Sequence, residues 1–208
     1  MAKQYGIAVD TRKCMGCQTC AVSCKMENNI PDSIWWNRVF TDGGAWLDTA
    51  RGDYGSAYVS FVPTACQHCE NPACVKVCPV GATYKDSETG IVRQDYDKCI
   101  GCRMCMAACP YTGVRSFNWD DPQYAAEVAL GDVDSPVHQK HVVEKCTMCW
   151  HRVARGEEPA CVATCVGYAR VFGDLNDPES EISKLISSRE YKQLLPEEGT
   201  KPSVYYLI

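Results

Sequence analysis

Sixteen cysteines dominate the chemistry available to this 208-residue chain, and they fall into four groups of four with none left over. Each group begins with two cysteines separated by two residues and ends with two separated by three. The groups are Cys14, Cys17, Cys20 and Cys24; Cys66, Cys69, Cys74 and Cys78; Cys99, Cys102, Cys105 and Cys109; and Cys146, Cys149, Cys161 and Cys165. Three kinds of thiol chemistry compete to explain them: disulfides, zinc sites and iron–sulfur clusters.

The spacing within the groups favours iron–sulfur clusters. Groups one and three share the pattern C-x2-C-x2-C-x3-C. Three cysteines two residues apart line a loop around one corner of a cubic cluster, which then needs a fourth ligand from elsewhere. A cysteine four positions later lies about one helical turn further on, where it binds a second cluster, as in two-cluster ferredoxins. Two groups therefore predict a pair of clusters, and four groups predict two pairs.

Zinc is the main competing interpretation, because CxxC pairs are common zinc ligands. Structural zinc usually takes two ligands from each of two separated pairs, whereas groups one and three are compact runs of four. Disulfides are typical of oxidising compartments and shorter chains. Residues 1–10 contain no apolar signal core and no twin arginine, and we find no apolar stretch long enough to span a bilayer. We expect that the chain neither exports nor anchors itself.

The residues around the groups also repeat. DTRKCMGC in group one matches DYDKCIGC in group three, which indicates an internal duplication. Gly16 and Gly101 in this repeat would let the backbone approach a cluster, where amide N–H groups bond to sulfur. Buried cluster charge must be compensated, and four lysines stand next to cysteines of the groups: Lys13, Lys25, Lys98 and Lys145. The net charge of −5 and the absence of a basic run argue against nucleic acid as a partner.

Short strands are predicted between the groups from alternating apolar residues and turn signals. A strand at residues 5–10 leads into group one, and a strand at 167–173 is expected to pair with it. Residues 57–62 alternate like a strand before group two. Residues 82–85 and 91–94 predict a hairpin that turns through Gly90.

Helices and irregular segments fill the remainder of the predicted fold. A helical turn is expected between Cys20 and Cys24, and two further helices are expected to start at Asp121-Pro122 and Asp177-Pro178. Ile182, Leu185 and Ile186 would share one face of the last helix. The segments predicted to lack regular structure are the glycine- and tryptophan-containing stretch 31–56 (with Trp35, Trp36, Trp46, Gly43, Gly44, Gly52 and Gly55), an insertion within the cysteine-free segment 111–145, and an extended tail at 196–208.

Two residue types allow more than one interpretation. The tryptophans either fill the core around the clusters, which is the interpretation we favour, or form a partner surface. His68 and His151 lie inside cysteine groups and could replace a cysteine ligand. Because sixteen cysteines already supply four ligands to each of four clusters, packing beside the clusters is the preferred role for both histidines.

Four groups, with eleven residues inside the fourth, resemble the electron-transfer (beta) subunits of the dimethyl sulfoxide reductase family, the iron–sulfur partners of molybdenum or tungsten bis-pterin enzymes. The phrases that carry the resemblance are AVDTRKCMGC, CQHCENPACVKVCPVGA, KCIGCRMCMAACPYTGVR, EKCTMCWHR, ARVFGDLNDPES and GTKPSVYY. The resemblance implies an α+β fold of duplicated two-[4Fe-4S] ferredoxin-like domains with short antiparallel hairpins, few short helices and long loops. Residues 1–56 and 140–208 would form one half, 57–115 the other half, and 116–139 an insert.

The resemblance also implies which cysteines share a cluster, because group one pairs with group four and group two with group three in that family. The implied ligand sets, called quartets A to D below, are Cys14, Cys17, Cys20 and Cys165 (A); Cys24, Cys146, Cys149 and Cys161 (B); Cys66, Cys69, Cys74 and Cys109 (C); and Cys78, Cys99, Cys102 and Cys105 (D). All four ligands of each set are present. One departure is that Cys24 and Cys165 lack the following proline found after Cys78 and Cys109, which affects the local turn and leaves the number of ligands unchanged.

The function implied by the resemblance is electron relay through four [4Fe-4S] clusters to or from a molybdopterin catalytic subunit. The second partner would be a membrane quinone-linked subunit or a soluble donor. The chain would remain in the cytoplasm, or be co-exported and membrane-associated through its partner. No catalytic residue is expected, because we find neither a nucleophile–base pair nor a phosphate-binding glycine motif. A free-standing polyferredoxin is the alternative function, and a zinc-organised interaction module is a third.

Overall fold

Short elements around the cysteine groups build the fold of this computed structural model, which describes residues 2–42, 50–124 and 126–208. The helices are α1 Thr19–Glu27, α2 Ala73–Lys76, α3 Met104–Ala107, α4 Trp150–Ala154, α5 Ala160–Ala163 and α6 Glu181–Ser188, with a 3-10 helix at Pro196–Glu198. The strands are β1 Tyr5–Asp10, β2 Asn37–Thr41, β3 Phe61–Ala65, β4 Thr83–Lys85, β5 Val92–Gln94, β6 Arg115–Phe117, β7 Val143–Lys145, β8 Arg170–Asp174, β9 Tyr191–Lys192 and β10 Val204–Leu207. This mixture of small sheets and short helices confirms the predicted α+β fold class.

The three-residue gap that ends every cysteine group corresponds to one turn of helix. The third cysteine of each group lies in a helix: Cys20 in α1, Cys74 in α2, Cys105 in α3 and Cys161 in α5. Cys24 also lies in α1, which confirms the helix predicted there. The fourth cysteines of the other groups come directly after the residue that caps the helix. The spacing thus places the last two cysteines of a group one helical turn apart.

A four-stranded sheet in the order β8-β1-β10-β9 supports groups one and four. β1 pairs antiparallel with β8, so that Ile7 lies opposite Phe172, as predicted from the sequence. β1 also pairs in parallel with β10, where Ile7 lies opposite Val204. The tail at 196–208, predicted as merely extended, therefore contains an inner strand of this sheet. That pairing joins residues almost two hundred positions apart, and local sequence patterns do not indicate such contacts.

Helix α6 packs on this sheet through the face predicted from its apolar residues. Ile182 is fully buried against Ala8 and Leu207, with Leu185 and Ile186 partly buried beside them. The helix begins at Glu181 and not at the predicted Asp177-Pro178. Ser180 is its N-cap, and its side-chain oxygen accepts a hydrogen bond from the Ser183 amide at 3.2 Å, which satisfies one of the free N–H groups of the first turn.

The other sheets are two-stranded hairpins. β4 and β5 confirm the predicted hairpin around Gly90. β2 and β3 pair along their whole length, with Val39 opposite Pro63, so residues 37–41 are regular where the sequence predicted irregular structure. The strand predicted at 57–62 is wrong in its position, because Tyr58 and Val59 are exposed and the ladder begins only at Phe61. Gly43, Gly44 and Trp46 lie outside the described residues.

The helix predicted from Asp121-Pro122 to Gly131 is also wrong, since the described residues of this segment contain bends and coil only. Their backbone groups bond to other segments. The Asp32 amide donates to Gln123 O at 2.9 Å, and the Asp132 amide donates to Glu27 O at 2.8 Å. These long-range bonds at the end of α1 replace the internal hydrogen bonds that a helix would need.

Cysteines take part in most of the apolar packing. Cys20 and Cys161 pack with Val9 and Val39, whereas Cys24 and Cys146 pack with Trp36. Cys74 and Cys105 pack together, and Cys69 packs against Tyr111. The core is therefore arranged around thiols. The longest helix in the described parts of the chain, α1, has nine residues, and none there has the length and apolar character to cross a bilayer.

Candidate metal centres

All sixteen cysteines are free thiols. The four cysteines of quartet A line a single cleft, although Cys165 is far from the other three in sequence. Burial, together with the neighbouring thiols of Cys20 and Cys165, raises the pKa of Cys14. Cys17 is the exposed member of the quartet.

Quartet B is assembled from α1 and the fourth group. Cys24 is buried, and burial followed by the nearby thiols of Cys146, Cys149 and Cys161 raises its pKa well above the usual range. Burial likewise raises the pKa of Cys149 to about 12. Metal binding requires thiolates, so a metal must displace protons from this buried set.

Quartets C and D lie around the β4–β5 hairpin. Burial and then the Cys66 thiol raise the pKa of Cys109 to about 11, with a smaller contribution from Cys74. For quartet D, the Thr83 side chain contacts the thiols of both Cys78 and Cys105. The Thr83 amide also donates to Cys78 Sγ at 3.4 Å. The last cysteines of groups two and three thus lie near cysteines of the partner group.

A left-handed residue precedes the second cysteine in every group. These residues are Gly16 (φ 69°), His68 (φ 42°), Gly101 (φ 68°) and Met148 (φ 56°). Such a conformation is easy for glycine and strained for other residues. The left-handed residue bends the CxxC segment, so that the two thiols of the segment approach one site. His68 and Met148 adopt this conformation although they are not glycines.

Backbone amides are directed at the cysteine sulfurs, as expected for cluster ligands. The Gly16 amide bonds to Cys14, and the Met148 amide donates to Cys146 Sγ at 3.3 Å. The Ala169 amide donates to Cys165 Sγ at 3.3 Å. Donors of this kind stabilise thiolate charge and tune a cluster's potential.

Two buried arginines, Arg115 and Arg170, were missed in the sequence. The Arg170 Nη1 donates to Cys161 Sγ at 3.6 Å, and the Nη2 of Arg115 is buried without a hydrogen-bond partner. Their signal in the sequence was an arginine five or six residues after the last cysteine of groups four and three. By contrast, of the four lysines next to cysteines only Lys145 is buried, and Lys98 is an exposed lysine paired with Asp95 at 2.9 Å.

The histidines inside the groups have structural partners. His68 Nδ1 accepts a hydrogen bond from the Val92 amide at 3.2 Å; burial and then Lys145 lower its pKa well below the usual range. His151 Nε2 lies 3.1 Å from a Glu27 carboxylate oxygen. Both contacts agree with the packing role preferred from the sequence.

Tryptophans occur both in the core and on the surface. Trp36 is buried, and its Nε1 donates to Glu144 Oε2 at 3.2 Å. Trp119 is exposed and contacts the guanidinium of Arg103, 4.7 Å from its ring centroid. The core-filling interpretation therefore holds for Trp36, and the partner-surface interpretation stays a prediction for the exposed Trp119.

The residues present fit iron–sulfur clusters. The free thiols are grouped, and backbone amides donate hydrogen bonds to their sulfurs. The Nη2 of Arg115 lies near cysteines and lacks a hydrogen-bond acceptor, which cluster sulfur would supply. An α+β fold of short hairpins with this constellation defines a dicluster, ferredoxin-like iron–sulfur protein.

Comparison with known proteins agrees with this class. Residues 57–126 and 133–175 match the family model of the 4Fe-4S dicluster domain. The chain is 53% identical to a Halobacterium salinarum protein named as an iron–sulfur subunit of dimethyl sulfoxide reductase, over 98% of this chain and 78% of the relative. It is 39% identical to the arsenate respiratory reductase iron–sulfur subunit of Shewanella sp., over 98% and 96%, and 40% identical to a subunit of the selenate reductase of Mesobacillus selenatarsenatis, over 98% and 72%.

The chain belongs to the four-cluster iron–sulfur electron-transfer subunits of the dimethyl sulfoxide reductase family. Its cofactors are four [4Fe-4S] clusters. It transfers electrons within an oxidoreductase complex and is not itself the catalytic subunit.

Proposed function

We propose that this chain carries electrons between a molybdopterin-bearing catalytic subunit and a second redox partner, with quartets A to D as the ligands of the four clusters. Each cluster, when bound, supplies a one-electron carrier. The single observation that carries the proposal is that contacts between cysteines link the quartets in series. Cys20 packs near Cys161, Cys24 and Cys146 pack against Cys66, and Cys74 packs against Cys105.

The exposure of the cysteines supports an electron path that enters at one end of this series of quartets and leaves at the other. Cys17 of quartet A and Cys102 of quartet D are exposed, whereas all four cysteines of quartet B are buried. The two outer quartets would therefore exchange electrons with partners, and the two inner quartets would pass them through the protein.

Exposed apolar side chains stand beside both outer quartets. Met15 and Tyr168 flank quartet A, and Ile100 and Met104 flank quartet D. Methionine and aromatic residues are enriched in protein interfaces. By analogy with the family, we assign the surface at quartet A to the catalytic subunit and the surface at quartet D to the second partner.

The names of the relatives indicate what kind of complex to expect. They are subunits of reductases for dimethyl sulfoxide, arsenate and selenate, and another is the iron–sulfur subunit of a menaquinone reductase. We propose a reductase-type catalytic partner, and a quinone-linked membrane subunit or a soluble donor as the second. Under this proposal the chain is cytoplasmic, or co-exported and membrane-associated through its partner.

We also propose that residues 1–56 with 140–208 act as one half and residues 57–115 as the other, with 116–139 as an insert. Strand pairs join residues of different halves: β2 pairs with β3, and Arg115, the last residue of the second half, pairs with Lys145 of the first. This pairing would keep the halves in a fixed relation, which a relay between quartets B and C requires.

Anaerobic purification from the native source tests the proposal. We expect about sixteen irons per chain and co-elution with a large molybdenum- or tungsten-containing protein. In rapid mixing experiments, the reduced second partner should become oxidised as the clusters of the complex become reduced. A chain that elutes alone with full iron content would favour the polyferredoxin, and stoichiometric zinc in place of iron would exclude both electron-transfer functions.

A further inference from the structure

Arg115 and Arg170 occupy corresponding places in the two halves of the chain. Each is the first residue of a strand, β6 or β8, that follows the last cysteine of a group. Each residue is only 7% exposed. A buried cation needs a compensating anion, yet in the described part of the chain neither arginine forms a salt bridge with a carboxylate.

Arg170 lies beside cysteines of quartets A and B. Nη1 donates to Cys161 Sγ at 3.6 Å, and Nη2 donates to Asn37 Oδ1 at 3.4 Å. Arg170 also lines the cleft formed by the four cysteines of quartet A. One guanidinium is thus shared by the two quartets.

Arg115 stands in the same relation to quartets C and D. Its Nη1 donates to Gln94 Oε1 at 3.5 Å, and its Nη2 has no partner. Cys74 and Cys66 of quartet C and Cys105 of quartet D are near enough to act on its charge. Gln94 also accepts a hydrogen bond from the Thr83 hydroxyl, and the Thr83 amide donates to Cys78 of quartet D. When the clusters are bound, their sulfur atoms would therefore be the hydrogen-bond acceptors available to Nη2 of Arg115.

We infer that Arg170 and Arg115 are buried counter-charges, each shared by the two clusters of one half, and that each raises the reduction potentials of its own pair. The inference rests on the proposed assignment of the quartets. Reduction adds negative charge to a site that is already anionic, so a fixed cation in contact with it favours the reduced form. Arginine suits this position because it stays charged when buried.

The test is an anaerobic redox titration of the purified complex followed by EPR. Arg170→Gln should lower the equilibrium constant for reduction at least tenfold, or 59 mV for a one-electron couple, at two of the four clusters. Arg115→Gln should do the same at the other two. Arg170→Lys, which keeps the charge, should restore most of the loss.

Gln94→Glu tests the same charge effect without removing an arginine, in case the arginine variants lose iron. Gln94 accepts its hydrogen bonds from Arg115 and Thr83 through Oε1, so glutamate preserves these bonds while neutralising the guanidinium. We expect it to lower the same two potentials as Arg115→Gln.

Three outcomes would overturn the inference. The first is a fully iron-loaded Gln94→Glu complex whose cluster potentials stay within a few millivolts of wild type. The second is an equal shift of the potentials of all four clusters in either arginine variant. Both of these outcomes leave the proposed function intact. A wild-type chain without four one-electron couples would overturn the proposed function itself, and the inference with it.

Discussion

The residue before the second cysteine of each group shows how single positions shape the metal centres. Gly101 has φ 68°, and a Cβ atom built on it would lie 2.5 Å from the carbonyl oxygen of His141. Two separate requirements therefore select glycine there: a left-handed conformation and a close backbone neighbour. His68 has the same conformation with a side chain, and its hydrogen bond to the Val92 amide holds it in place.

Replacement of this glycine should damage one cluster. We expect Gly101→Ala to lower the iron content and to speed iron release to a chelator, because the His141 carbonyl must move and the loop carrying Cys102 moves with it. The left-handed strain alone costs about 1–2 kcal/mol. Measurement of iron per chain and of release kinetics checks this.

Gly156→Ala is the matched control. Gly156 also has positive φ, at 78°, but nothing lies within 4 Å of a Cβ built there. It should bear the same strain and keep its full iron content. Equal iron release from the two variants would show that the close backbone contact is unimportant.

A second residue-scale prediction concerns the link between groups one and four. Cys24→Ser should impair the cluster of quartet B, whose other ligands are more than a hundred residues away, because the Cys24 thiol lies beside Cys146, Cys149 and Cys161. EPR and Mössbauer spectra of the loaded chain would show a loss or conversion of one cluster.

The control for this variant is Val22→Ser in the same helix, since Val22 is exposed. It should leave all four clusters unchanged. Loss of only the cluster held by Cys14, Cys17 and Cys20 in the Cys24→Ser chain would refute the assignment of quartet B.

At the scale of elements, β10 occupies an inner position of the four-stranded sheet. Leu207 is 1% exposed and packs against Ala8 and Ile182. It joins strands and helix α6 in a cluster that contains no cysteine, so bound metal cannot replace its contribution.

Leu207→Ala should therefore lower the free energy of opening of this sheet by about 2–5 kcal/mol, the usual cost of truncating a buried leucine. Hydrogen exchange of the β1 amides in the cluster-loaded chain measures it. Leu130→Ala, at a leucine that is 55% exposed, should change exchange little. Unchanged protection of β1 in the Leu207 variant would mean that β10 is dispensable.

The elements that could be predicted were those encoded by local patterns. Cysteine spacing predicted a helical turn at Cys20–Cys24, and apolar alternation with Gly90 predicted the β4–β5 hairpin. Contacts between distant segments decided the others: β2 forms because it pairs with β3, and the insert is not helical because its amides bond to the end of α1. Arg115 and Arg170 were overlooked for a related reason, since only the fold shows that these two arginines are buried beside cysteine thiols.

For the whole molecule, residues 142–149 form a continuous buried segment. Within it, Glu144 is fully buried and lies 2.8 Å from His138 Nδ1, while His138 Nε2 contacts Asn28 O at 2.8 Å. This network ties the insert to the end of α1. Loss of one partner in this network would leave a buried polar group without a hydrogen bond, which costs about 1–3 kcal/mol.

The series of quartets predicts that two surface substitutions act on different partners. Met15→Glu should weaken binding of the catalytic subunit about tenfold, or about 1.4 kcal/mol, because an unpaired carboxylate would be buried at the interface. Ile100→Glu should instead weaken binding of the second partner. Pull-down titrations with each partner measure both variants, and each serves as the control for the other. If both weakened the same interaction, the assignment of the two surfaces would be wrong.

The nested order of the groups has a consequence for biosynthesis. Quartets C and D lie entirely between Cys66 and Cys109, whereas quartet A needs Cys165 and its sheet needs β10, at Val204–Leu207. Ribosomes deliver a chain from its amino end, and domains fold as they emerge. Under the proposed assignment, centres C and D are thus ready for loading while translation continues. Centres A and B must wait, with the cysteines of group one still unloaded, until the rest of their ligands and β10 leave the ribosomal exit tunnel.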